Sequence, residues 1–304
     1  MREVGAKGPT DVGVDVGTDA YRPPAMQQRT MKLFAISDLH LGYAINRQAL
    51  QDLPEHRDDW LILAGDVGET AAHLNFALRI LTQRFARVIW TPGNHDLWTM
   101  PDTGSGLRGE QKYQLLVEVC RHYGVLTPED PYIEWPNHGF EAVLAPVFTL
   151  YDYSFRPADV PAQQALTWAE QSGVISTDEE LLHPDPYPTR AAWCAARCEY
   201  TEARLTAIAP GKRLILINHF PLRADLAVLP RIPRFSIWCG TRRTETWPAR
   251  FPIHMAIYGH LHMRNSLHRD GVRYEEVSLG YPRQWDQDFG IAGYLREIEL
   301  APAS

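Results

Sequence analysis

Five short stretches, Asp38-Leu39-His40, Gly65-Asp66, Gly93-Asn94-His95-Asp96, Asn218-His219 and Gly259-His260-Leu261-His262, carry the residue types that hold divalent cations. Imidazole nitrogens with carboxylate and amide oxygens, and no thiolate among them, suit manganese, iron or zinc. Two ions about 3.5–4 Å apart need a shared ligand, and a carboxylate can bridge them. Asp66, alone after its glycine, is the natural bridge. Asp-x-His and His-x-His place two ligands at i and i+2, which reach one ion only from an extended segment or a tight loop. Each piece alone is common; their conjunction, in this order, is not.

The elements before these residues explain how they could meet. Leu33-Phe34-Ala35-Ile36, Trp60 to Ala64, Val88-Ile89-Trp90, Leu214 to Ile217 and Ile253 to Tyr258 are continuous apolar runs, the mark of strands buried on both faces. Each run stops at one of the five ligand stretches, and α/β sheets bind ligands beyond the carboxyl ends of their strands. Leu74, Leu78, Leu81 and Phe85 fall on one helical face. So do Tyr113, Leu116, Val117 and Cys120, and again Trp193, Ala196, Tyr200, Ala203 and Ala207. Val143 to Phe155 and Val272 to Leu279 read as further strands. Strands alternating with helices predict an α/β protein. Met1 to Thr30, rich in Gly and Pro, reads as a disordered tail, and residues 31–304 as a single domain. Residues 157–189 and 221–252 are Pro-rich and weakly periodic, and read as functional insertions over one end of the sheets.

Composition narrows the partners. Of the 304 residues, 45% are hydrophobic and 22% charged, an ordinary soluble balance. No apolar run approaches the roughly 20 residues of a membrane span. Four cysteines make no disulfide framework, so the expectation is a cytoplasmic chain with reduced, packed thiols. A net charge of −7 argues against general nucleic-acid binding.

The ordered set Asp-x-His, Gly-Asp, Gly-Asn-His-Asp, His and Gly-His-x-His resembles the calcineurin-like metallophosphoesterases over Met31 to about Trp285. The resemblance implies two packed mixed β-sheets flanked by helices. It implies that Asp38, His40 and His262 hold one metal, that Asn94, His219 and His260 hold a second, and that Asp66 bridges them. It also implies hydrolysis by a hydroxide shared between the two ions, with His95 off the metals as general acid and Asp96 orienting it.

A narrower likeness is carried by Tyr151-Asp152-Tyr153-Ser154-Phe155, His183 to Pro188, Asn218 to Leu222, Trp238-Cys239-Gly240-Thr241 and Glu275 to Pro282. These are similar to the actinobacterial branch that cleaves 4′-phosphopantetheine from the serine of acyl carrier proteins. Such a branch implies an acidic acyl or peptidyl carrier protein as partner. Between Gly211 and Arg250, eight cations face only Asp225 and Glu245, so a basic lip over the site is expected, unless these arginines pair with Asp178-Glu179-Glu180. Tyr151, Tyr153 and Arg242 are candidates for substrate contact. The same metals could serve a small-molecule phosphodiesterase or phosphomonoesterase, for cyclic nucleotides for instance. A non-catalytic scaffold is the remaining reading, against which stands the complete ligand set.

Overall fold

The computed structural model describes Met1, Gly5 and residues 31–101, 106–136, 141–208 and 210–300, so the expected N-terminal tail lies outside the described residues. Met31–Ser304 forms one compact unit. Strands β1 (Leu33–Ile36), β2 (His56–Leu63) and β3 (Phe85–Trp90) alternate with helices α1 (Ala44–Gln51) and α2 (Ala71–Arg84). Two helices follow, α3 (Asn94–Leu97) and α4 (Gly109–His122), then β4 (Ile133–Glu134) and β5 (Ala142–Pro146). Helices α5 (Ala165–Glu170), α6 (Asp178–Leu181) and α7 (Arg190–Thr206) lead to β6 (Arg213–Ile217). The chain ends with α8 (Trp247–Arg250), β7 (Ile253–Tyr258), β8 (Ser266–Arg269), β9 (Val272–Glu276) and β10 (Arg296–Glu297).

Two mixed sheets result, one ordered β10-β1-β2-β3 and the other β4-β5-β6-β7-β9-β8. β1, β2 and β3 run parallel, as do β5, β6, β7 and β9, with antiparallel strands at the edges. Alternate side chains of both sheets, Leu33, Ala35, Ile62 and Ile89 from one and Leu144, Ile215, Met255 and Ile257 from the other, share one buried cluster between them. The intervening residues, Phe34, Ile36, Leu61, Leu63, Leu214 and Leu216, belong to a second cluster with the helices. Period-2 alternation with both faces buried is why these strands read as unbroken apolar runs. Helix α2 starts where Thr70 Oγ1 accepts from the His73 amide at 3.1 Å, a side-chain cap on an otherwise orphan N–H.

Two expectations of local structure fail. The strand read over Val143 to Phe155 stops at Pro146, because beyond one more ladder bond, Val147 N to Ile217 O, the Asn218 side chain takes over the edge. Asn218 Oδ1 accepts from the Thr149 amide at 3.2 Å, and its Nδ2 donates to Thr149 Oγ1 at 2.8 Å. On α7 the buried face is Trp193, Cys194, Arg197, Cys198, Thr201 and Leu205, not the Ala196–Tyr200–Ala203–Ala207 stripe. Arg197 occupies the inner face because Glu129 takes its charge at 2.6 Å and the Phe148 ring lies 4.8 Å from the guanidinium. All four cysteines are free and buried.

The two Pro-rich stretches pack on each other. Trp238 Nε1 donates to Glu179 Oε1 at 2.8 Å, Ser236 Oγ to the Phe155 carbonyl, and Arg234 lies 4.8 Å from the Trp168 ring. No helix among the described residues is long and apolar enough to cross a membrane.

Candidate metal centre

The loops after β1, β2, β3, β6 and β7 converge, and those after β1, β2 and β7 do so through unusual backbone. Asp38, His40, Asp66, His260 and His262 all have positive φ, between 43° and 70°. Such left-handed turns cost on the order of 1 kcal/mol each for residues with a Cβ, although Asp and His tolerate them better than most. They reverse the chain within two residues, so that Asp38 and His40 aim at one point while His260 and His262 part toward two. Gly93 and Gly259 are required by close approach: a Cβ at Gly93 would run into Asp66, and one at Gly259 into Ser37 and Asp38.

One group of atoms is Asp38 Oδ1, His40 Nε2 and His262 Nε2. His262 Nε2 lies 3.0 Å from Asp38 Oδ1 and 3.2 Å from His40 Nε2. The second group is Asn94 Oδ1, His219 Nε2 and His260 Nδ1, separated by 3.1 to 3.3 Å. Asp66 Oδ2 is 3.5 Å from His219 Nε2. Ligands about 2.1 Å from one ion sit about 3 Å apart around it, a spacing met throughout the second group, while in the first His40 Nε2 and Asp38 Oδ1 are wider at 3.9 Å.

The protonation pattern fits a cation as well. His219 Nδ1 faces the Ala64 carbonyl at 2.9 Å and His262 Nδ1 faces Gln284 Oε1 at 2.7 Å. Both acceptors require the proton on Nδ1, which leaves a lone pair on each Nε2 pointing inward. Asn94 donates its amide to Asp178 Oδ1 at 2.9 Å, so its carbonyl oxygen also turns inward. Lone pairs thus face lone pairs, an arrangement that a divalent ion would satisfy. His260 Nε2 and His40 Nδ1 are buried with no hydrogen-bond partner. Burial, and then the charge of neighbouring imidazoles, holds His40 and His260 well below the usual imidazole range, which favours the neutral ligand form. Burial alone would raise Asp38, yet His262, His219 and His40 around it hold its carboxyl well below the usual range, and Asp38 in turn raises His262 against its own burial, so that without an ion a proton on His262 stands where a cation would. Burial and the nearby Asp38 and Asp96 push Asp66 well above it.

His95 stands at the edge of this cluster. Its Nε2 is 4.0 Å from Asp66 Oδ2, its ring stacks on Trp98 with centroids 3.7 Å apart, and the His40 ring meets it edge-on at 4.6 Å. Asp38, His40 and His262 form one ligand-ready triad and Asp66, His219 and His260 another, while His40, Asp66 and His95 form a third.

Asp96 does not orient His95. Its carboxylate accepts from the amides of Asp66, Gly93, Val67 and Gly68 at 2.8 to 3.3 Å, tying the Asp66 loop to the start of α3. Every one of its near donors is backbone, and burial raises it to about 6. The acid beside His95 is instead Glu69, with Oε1 3.7 Å from Nδ1 and Oε2 3.1 Å from His73 Nδ1. Glu69 escaped the sequence reading because a single Glu in a loop has no pattern to mark it. Asp178, which fixes Asn94 and also accepts from Trp98 Nε1 at 2.6 Å, reads in the sequence only as part of an acidic segment that could pair with the arginines. Tyr281, stacked on His40 at 4.4 Å, lay within a quoted motif but carried no assigned role.

A cavity of about 300 Å³ opens on the cluster, lined by Asp66, Asn94, His95 and His260 together with Leu229, Ile232, Phe235, Tyr281 and Arg283. Tyr151, Tyr153 and Arg242 do not line it. Tyr151 is fully buried, Tyr153 bonds Glu179 and Arg190, and Arg242 is held by Ser154 and Glu245. The basic lip is largely neutralised within the chain: Arg223 by Asp225 and Asp270, Arg250 by Glu202, Lys212 by Glu134. Arg231 is exposed without an acidic partner among the described residues, and so is Arg283 at the cavity.

Strand-end ligands on two mixed sheets define a metal-dependent phosphoesterase architecture, and the calcineurin-like phosphoesterase family profile matches residues 31–264; the chain belongs to that family. It is 45% identical over 255 residues to the [acyl-carrier-protein] phosphodiesterase PptH of Mycobacterium tuberculosis, covering 83% of this chain and 79% of that one. The crystal structure of phosphopantetheinyl hydrolase (PptH) from Mycobacterium tuberculosis matches with a TM-score of 0.85 at 42% identity, over 90% of this chain and 97% of that one.

Proposed function

We propose that this protein hydrolyses the phosphodiester between 4′-phosphopantetheine and the serine of an acyl or peptidyl carrier protein, acting in the cytoplasm. The relative's printed activity, at 45% identity across most of both chains, supports the substrate. The observation that carries the chemistry is the inward convergence of lone pairs beside one histidine, His95, that lies off the two tightest groups. Asp38, His40 and His262 would hold one divalent ion, and Asn94, His219 and His260 the other, with Asp66 between them. Manganese or iron suits these ligands best, and zinc is compatible. When bound, such a pair supplies Lewis acidity toward the phosphoryl oxygens and acidifies water toward neutrality.

The chain's own groups do the rest. Water oxygen joins phosphorus, the bond from phosphorus to the serine oxygen breaks, and His95 delivers a proton to that oxygen. Trp98 fixes the plane of the His95 ring, and the Glu69 carboxylate lies 3.7 Å from its Nδ1. Exposed Arg231 and Arg283 offer the free positive charge that an acidic carrier protein would meet.

Intact mass spectrometry of a holo-carrier protein incubated with the Mn²⁺-loaded enzyme tests the reading. Loss of the phosphopantetheine arm is the expected result. An unchanged carrier, from enzyme that still cleaves a chromogenic diester, overturns the substrate and leaves the phosphoesterase.

A further inference from the structure

The cavity is chemically two-sided, and a phosphodiester has two ends. On one side His95 packs on Trp98 and against His40, next to the Asp38–His40–His262 group. On the other, Phe235 lies nearly parallel to His260 at 5.9 Å, and Leu229 and Ile232 continue the wall beside the Asn94–His219–His260 group. Ile232 is 45% exposed, an uncovered apolar side chain at the mouth of a polar site. Its turn is anchored rather than loose: the 3₁₀ segment Pro233–Trp238 that follows is tied to Glu179, Phe155 and Trp168.

The oxygen that leaves needs a proton, so it must lie at His95, and the group that stays on phosphorus must lie elsewhere in the cavity. We propose that Leu229, Ile232 and Phe235 form the subsite for the retained pantetheine arm, whose quaternary carbon with two methyl groups stands close to the phosphate. Serine then lies on the His95 and Trp98 side. This inference rests on the carrier-protein reading above. Covering two methyl groups is worth on the order of tenfold in binding.

The test is calorimetric binding of free 4′-phosphopantetheine and of inorganic phosphate to the Mn²⁺-loaded full chain, compared with Ile232→Ser and Phe235→Ala. Wild type should prefer 4′-phosphopantetheine over phosphate by at least tenfold, and each variant should lose most of that preference. Ile232 is exposed, so its variant folds; an unaltered melting temperature checks this. A preference that is the same in wild type and both variants overturns the subsite. A wild type that cleaves holo-carrier while showing that result loses only the subsite. A wild type that leaves holo-carrier intact loses the substrate reading itself.

Discussion

What distinguishes His95 from the imidazoles around it is where its nitrogens point. His219 and His262 are locked by Ala64 and Gln284 into tautomers that present lone pairs inward, whereas His95 Nδ1 faces the Glu69 carboxylate. His95→Ala should therefore keep its metal content while kcat on holo-carrier falls by about 10²–10⁴-fold. The loss on a nitrophenyl diester should be much smaller, because nitrophenolate departs without a proton. Asp66→Asn, by contrast, should lose metal and all activity together. Metal analysis of the purified variants checks both; a His95→Ala protein with fewer ions than wild type would make His95 a ligand in the third triad. The pairing of Asn94 with Asp178 spans 84 residues, which is why no local pattern announced it.

At the scale of the element, three of the five strands, β1, β2 and β7, present their candidate ligands through turns that the backbone alone would avoid. Left-handed φ at Asp38, His40, Asp66, His260 and His262 is held by buried contacts: Asp38 Oδ2 accepts from Ser37 and Ser278 hydroxyls at 2.5 and 2.7 Å, and Asp96 gathers the amides of the Asp66 loop. The strands before these turns were legible because both of their faces are apolar. Helix α7 was legible as a helix but not in its orientation, since its alanines weigh little and Arg197 looks like a surface residue until Glu129 is placed beside it. Arg197→Met should leave that carboxylate partly buried and unpaired, costing about 3 kcal/mol. A fall of roughly 5 °C in Tm, read by calorimetry, is the expected size for a domain this long. No change in Tm would mean that the ring contacts, not the ion pair, hold the helix.

For the whole molecule, net charge and local charge point in opposite directions. The protein carries −7, yet it is read as an enzyme for an acidic partner. Counting cations along residues 211–250 overstates the attraction, because Lys212, Arg223, Arg243 and Arg250 meet acids from distant segments, namely Glu134, Asp270, Asp152 and Glu202. The charge left for a carrier protein near the cavity is that of Arg231 and Arg283. Arg231→Glu with Arg283→Glu should raise KM for holo-carrier about tenfold at low salt, with the difference shrinking toward 0.5 M salt as screening shortens the field. A KM that ignores both the reversal and the salt would remove electrostatic docking from the account.

Residue types and their spacing mark the candidate ligands: acceptor atoms at the ends of apolar runs, in an order that brings them to one side of two sheets. That much is legible because ligand identity and strand burial are properties of residue type and spacing. Packing between distant segments sets the rest: Glu69 rather than Asp96 lies beside His95, Asp178 turns the Asn94 oxygen inward, and Arg231 and Arg283 are left without acidic partners among the described residues. Those outcomes depend on which groups burial leaves without water, and a buried polar group takes its partner from whatever segment packs against it, however far away in the chain.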